Sequence, residues 1–158
     1  MQTQRVGSGR RMAVLGGMVA ALLAVAAPAW AHVQIDPGQV AAGSRARLAF
    51  EVPHGCGESA TTRLSIELPA GASDPAPEGA GWTTEVRGNV VTWSGGRVDA
   101  HALGVFAMTV TLPNTPGLTI WFRTVQTCEQ GVHRWVEIPA PGQNGHDLES
   151  PAPALVLV

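Results

Sequence analysis

After residue 31 this chain offers no run of ten or more residues with helical periodicity, and that limits its fold more than any other feature. In place of helical runs, short β-like stretches alternate with glycine and proline. Residues 32–36 read as a first strand, stopped by Pro37-Gly38, and residues 46–52 as a second, followed by the loop Pro53-His54-Gly55-Cys56-Gly57. Residues 61–68 alternate cleanly, with Leu64, Ile66 and Leu68 on one face and Arg63, Ser65 and Glu67 on the other. Residues 69–80 carry Ala, Gly and Pro and read as a connection. Residues 82–87 and 90–94 form a hairpin turning at Gly88-Asn89, and 104–112, 118–126, 133–138 and 154–158 complete the set. Seven to nine short strands predict an all-β sandwich of immunoglobulin or fibronectin-III type, a single domain over residues 32–158.

The first 31 residues follow a different logic. Arg5, Arg10 and Arg11 precede an apolar run over residues 12–27, and Ala29-Trp30-Ala31 is a small-x-small sequence directly before His32. This is the order of a cleaved secretory signal peptide, residues 1–31, and the run is short for the roughly 20 apolar residues of a spanning helix. Export predicts a periplasmic or secreted protein with no membrane anchor after cleavage. Removing the segment takes away three of the ten arginines and none of the 12 acidic residues, so seven positive charges face 12 negative ones, a net charge of −5. There is no Lys and no Tyr. An acidic surface without a basic cluster argues against nucleic acid and anionic membranes and suits a cation.

Both cysteines, Cys56 and Cys128, lie in the exported part, where the default for such a pair is one disulfide. Closing a loop of that length stabilises a fold by ~4 kcal/mol in the chain-entropy model. A thiolate metal site is the competing reading, and an oxidising compartment disfavours it.

Three features carry chemistry. Cleavage makes His32 an amino terminus, with the α-amine and imidazole Nδ1 on one short tether, able to close a chelate ring. The α-amine has a reference pKa of about 7.7–8.0, against about 10.4 for a lysine, so losing its proton to a metal costs little near neutral pH. Nitrogen donors in a tetragonal arrangement favour Cu(II). The plainer alternative is that cleavage merely leaves a histidine there. Second, His133, Trp135 and Glu137 share one face of a strand at period two, with Val132, Val136 and Ile138 on the other. The indole of Trp135 could cover a metal with cation–π attraction; the bland alternative is a partly buried sandwich tryptophan with polar neighbours at the rim. Third, the loop from Pro53 to Thr62 offers Glu58 as a carboxylate and His54 as a further donor, and a disulfide at Cys56 would hold it near the strand of Trp135. Its alternative is an ordinary solvated loop.

In order along the chain stand Ala31-His32-Val33, Val52-Pro53-His54-Gly55-Cys56 leading to Thr61-Thr62, Pro69-Ala70-Gly71, and Gly81-Trp82. Val91-Thr92-Trp93-Ser94-Gly95-Gly96, Val125-Gln126-Thr127-Cys128-Glu129 and Arg134-Trp135-Val136-Glu137-Ile138-Pro139 follow. This series resembles the YcnI-like copper-binding proteins of bacterial envelopes over nearly the whole exported part. The resemblance implies an immunoglobulin-like fold and Cu(II) held by a single-histidine brace at the processed N-terminus, with a carboxylate ligand and a nearby tryptophan. Carried over, His32 matches the brace, Trp135 the tryptophan and Glu58, before the Thr-Thr pair, the carboxylate; Glu51 and Glu137 stay open for that role. A CopD-type inner-membrane copper transporter is the partner the resemblance implies.

The expected function is therefore copper buffering or delivery, not catalysis. A copper oxidase or oxygenase, the alternative, would need a second brace histidine from His54, His101, His133 or His146, none of which sits in a motif that demands it. A metal-free adhesion or interaction sandwich is the third reading.

Overall fold

The structure is a computed structural model that describes residues 32–158, so the signal peptide expected over 1–31 lies outside the described residues. Twelve strands form: β1 (Gln34–Asp36), β2 (Gln39–Val40), β3 (Arg45–Val52), β4 (Thr61–Glu67), β5 (Ser73–Pro77) and β6 (Thr83–Arg87) in the first half. β7 (Val90–Val98), β8 (Gly104–Thr111), β9 (Thr119–Trp121), β10 (Thr124–Cys128), β11 (Val132–Trp135) and β12 (Ala154–Leu157) follow. One sheet has the order β1-β3-β8-β5, a second β11-β10-β4-β7-β6, and a small third β2-β12-β9. Trp93, Phe50, Phe106, Phe122, Leu48, Leu64 and Ile66 are fully buried in the core between the sheets, and Leu155 and Leu157 of β12 join it. The expected alternation over residues 61–68 holds, with Leu64, Ile66 and Leu68 all buried.

The all-β sandwich is as expected, but the described residues form twelve strands in place of seven to nine. The single strand expected over 118–126 is two, β9 in the small sheet and β10 in the large one. Between them the backbone changes partners: Phe122 donates its N–H to Pro153, and Arg123 accepts from Glu67. The connection expected over 69–80 contains β5, paired with β8 through a register shift. Pro75 and Pro77 cannot donate to a ladder, and β5 lies at the sheet edge, where that loss is tolerated. The β6–β7 hairpin turns at Gly88-Asn89 as expected, with Arg87 opposite Val90. Gly88 has φ 59° and Asn89 has no positive φ, so the first turn position is the one that needs glycine.

Candidate metal centre

Cys128 ends β10 and is disulfide-bonded to Cys56, which ties the loop between β3 and β4 to the strand pair β10–β11. That staple collects several imidazoles at one place. Trp135, on β11, has the rings of His32, His54 and His133 at centroid distances of 5.8, 6.3 and 5.4 Å. Trp135 is 4% exposed and belongs to the core, while all three histidines are half-buried.

On β11, His133 and Trp135 share a face, as the period-two spacing predicts. His133 and Trp135 point inward, and Val132 on the opposite face is exposed. An indole that fills the sandwich outweighs a single valine on an edge strand, because it removes far more apolar surface from water. Glu137 lies beyond the strand, and its Oε2 accepts the Ser150 N–H at 2.6 Å. It fastens the chain end rather than facing the tryptophan's neighbours.

The polar centre of the arrangement is Gln126, fully buried on β10 directly opposite His133. Its Oε1 accepts the Trp135 indole N–H at 3.1 Å, and its Nε2 donates to the His54 carbonyl at 2.7 Å and to Thr61 Oγ1 at 2.8 Å. A buried amide with its hydrogen bonds satisfied rigidifies what it joins, here the indole and the 53–56 loop. Sequence reasoning passed over Gln126. The signal was there, since Thr124, Gln126 and Cys128 alternate and a disulfide cysteine marks the inward face.

His32 leads into β1 and borders a cleft of about 440 Å³, together with Asp36, Glu51, Pro53 and Leu103. Gln34 pairs with Glu51 across β1 and β3, which sets that carboxylate beside the face carrying His32. The Glu51 side chain makes no hydrogen bond or ion pair among the described residues. On its other side His32 borders a cleft of about 300 Å³ that His146 and Trp121 also line. Asp36 was not anticipated, although it follows His32 and Gln34 at period two.

Glu58 sits elsewhere. Its side chain is 88% exposed and its Oε2 meets His101 Nε2 at 2.8 Å, in a cleft lined by Cys56, Ser59 and Glu129. Of the three carboxylates weighed for the site, Glu51 is the one that shares a cleft with His32. The charges that are clearly perturbed belong to arginine–carboxylate pairs. Arg47 holds Glu78 below the ordinary carboxylate range through a two-pronged hydrogen bond, and Glu129 with Asp99 raises Arg97.

Among the described residues no three His, Cys, Asp or Glu side chains converge as a metal cage. A terminal brace asks for less, because one processed histidine supplies two nitrogens and a single carboxylate completes a nitrogen–oxygen set. His32 and Glu51 line one cleft, so residues of both kinds are at hand there.

Fold and site together define an immunoglobulin-like domain with a histidine-ringed tryptophan on an edge strand. The chain belongs to the family described as a domain of unknown function, DUF1775, whose model matches residues 32–90 and 86–157. It is similar to an uncharacterised protein from Nocardia farcinica whose crystal structure has an immunoglobulin-like fold, with 30% identity and a TM-score of 0.67. That match covers 80% of this chain and 98% of the other. A weaker likeness, with 10% identity and a TM-score of 0.40, is to a non-cellulosomal cohesin from the hyperthermophilic archaeon Archaeoglobus fulgidus; it covers 80% of this chain and 90% of that one. No curated protein matches the chain. Among the described residues no helix is long and apolar enough to cross a membrane.

Proposed function

We propose that the protein is exported, cut before His32, and binds Cu(II) at that new amino terminus to buffer or deliver copper outside the cytoplasm. The observation that carries this reading is the position of His32, against Trp135 on one side and in the cleft of Glu51 on the other. The processed residue offers its α-amine and imidazole Nδ1, and Glu51 offers an oxygen. Trp135 walls the site with an aromatic surface that sheds water and attracts a cation. Supporting this, the ordered motifs resemble the YcnI-like copper proteins, and the family match begins at residue 32. The resemblance makes a CopD-type membrane transporter the proposed recipient, and the ion is cargo rather than a reagent.

This reading assigns the carboxylate to Glu51 in preference to Glu58, because Glu58 is held by His101 in another cleft. Competition against a chromophoric Cu(II) chelator, using protein that starts at His32, tests it. His32→Ala should lower affinity by about 100-fold or more and Glu51→Gln by about tenfold, while Glu58→Gln should leave it unchanged. Affinity that survives His32→Ala would end the proposal, and a loss in Glu58→Gln alone would move the carboxylate.

A further inference from the structure

Seven arginines follow residue 31, and the structure engages four of them. Arg47 pairs with Glu78, Arg87 with Glu85, and Arg97 with Asp99 and Glu129, while Arg45 donates to the Asp74 carbonyl and to Thr111. The other three, Arg63, Arg123 and Arg134, are exposed and make no side-chain hydrogen bond or ion pair among the described residues. They are scattered in the chain, so no basic run announces them, yet sheet pairing gathers them. On β10, Thr124, Gln126 and Cys128 are buried, and Val125 and Thr127 turn to the outer face. Val125 pairs with Arg134 of β11 on one side and with Ser65 of β4 on the other. Arg63 precedes Ser65 by two residues and Arg123 precedes Val125 by two, so both join that face. The Arg123 carbonyl accepts the Glu67 N–H, which continues the ladder past the end of β10. Three unpaired guanidiniums therefore surround Val125, with their Cα atoms about 8–14 Å apart by strand geometry.

We infer that this outer face of β4, β10 and β11 docks an acidic segment of a partner protein, whose carboxylates pair with Arg63, Arg123 and Arg134. The face's own carboxylates do not neutralise it. Glu67 lies beside Arg123 but accepts from Asn89 Nδ2 at 3.3 Å, and Glu85 is taken by Arg87. Arginine presents a planar fork that meets a carboxylate with two parallel hydrogen bonds, so three of them on a paired sheet fix direction as well as charge. The floor between them is low, with Val125 beside the hydroxyls of Ser65 and Thr92, which bond each other at 3.1 Å. At the β11 edge Val132, 48% exposed, adds an apolar contact. A bilayer or a nucleic acid is a broad polyanion, wider than the Debye length of about 8 Å, and it would also meet the excess of acidic residues in the rest of 32–158. A short acidic segment covers the arginines alone. His133 and Trp135 point to the other side of β11, so the docking face does not depend on copper.

The probe is a peptide of alternating Glu and Ser, about 12 residues long so that it can cross all three arginines when extended, with a Gln-for-Glu peptide as its uncharged counterpart. Each is titrated into metal-free protein beginning at His32, and the backbone amide resonances are followed. The Glu peptide should shift amides in residues 63–67, 123–127 and 132–134 and should bind more weakly as salt is raised, while the Gln peptide should not bind. Arg63→Gln, Arg123→Gln and Arg134→Gln are surface changes that should leave the denaturation midpoint in place. They should weaken the peptide by about threefold each and about 30-fold together. Vesicles containing phosphatidylglycerol should not sediment the protein. Absence of binding by the Glu peptide, amide shifts confined to other faces, or affinity that survives the triple substitution would overturn the inference. Sedimentation with the vesicles that the triple substitution abolishes would overturn it in favour of a lipid surface.

Discussion

Trp93 and Trp135 are two buried indoles in one sheet, and their surroundings differ in kind. Trp93, on β7, is fully buried and packs against Phe106 at 5.9 Å, and its N–H donates to the Glu78 backbone carbonyl at 2.9 Å. Trp135, on the edge strand β11, is nearly as buried, yet its ring neighbours are three histidines and its N–H donates to a buried glutamine side chain. A core needs apolar packing and a satisfied N–H, which the first environment supplies with a backbone group any sequence would have. The second supplies the same bond with a specific side chain and surrounds the ring with three imidazoles. Burial alone does not separate a core tryptophan from a site tryptophan; the identity of its neighbours does.

The two can be set against each other by substitution. Trp93→Ala should cost about 3–5 kcal/mol, read as a fall in denaturation midpoint, because it opens a cavity among Phe106 and its neighbours. Trp135→Phe should cost less, about 1–3 kcal/mol, chiefly from stranding Gln126 Oε1. In copper-loaded protein the order reverses. Trp135→Phe should remove the larger part of the quenching of intrinsic fluorescence by Cu(II), leaving the share of Trp121, which lines the other cleft at His32, and a milder core variant, Trp93→Phe, should keep it. Quenching undiminished in Trp135→Phe would dissolve the distinction.

The smallest effect lies at the surface beside Trp93, in the side chain of the residue whose carbonyl holds that indole N–H. The Arg47 hydrogen bond holds Glu78 below the ordinary carboxylate range. A carboxyl with a depressed folded value stabilises the fold above its unfolded pKa and loses that contribution as pH falls through the folded value. The pair is exposed, so the effect is slight. Glu78→Gln should flatten the acid limb of the stability curve a little and leave copper binding unaltered. A changed copper affinity in that variant would connect the two regions in a way the fold does not suggest.

Much of the fold was legible because alternation and turn chemistry are local. The 61–68 strand and the Gly88 turn each follow from a handful of adjacent residues. β5 was not legible, since a strand with Pro75 and Pro77 exists only by virtue of its place at an edge, and sheet order is not written locally. Which face of β11 turns inward was not legible for a related reason: period two groups His133 with Trp135 and Val132 with Val136, and only the packed sheet shows that Trp135 takes the core. Within the site, the nearness of His32 to Trp135 could be anticipated only through the family resemblance. The preference for Glu51 required the β1–β3 register, which pairs it with Gln34 across two strands of very different length. Glu58 was chosen for its place before Thr61-Thr62, and no sequence pattern announces that His101, 43 residues away, would hold it.

The central claim is that the free α-amine of His32 is a copper ligand, and the absence of lysine makes it open to a direct test. Protein beginning at His32 would be divided, one half acetylated at its amino terminus, and both halves titrated with Cu(II) while the electron paramagnetic resonance spectrum is followed. The account predicts a tight one-to-one, nitrogen-rich signal in the free protein that is lost on acetylation. Identical spectra and affinities from the two halves would contradict it.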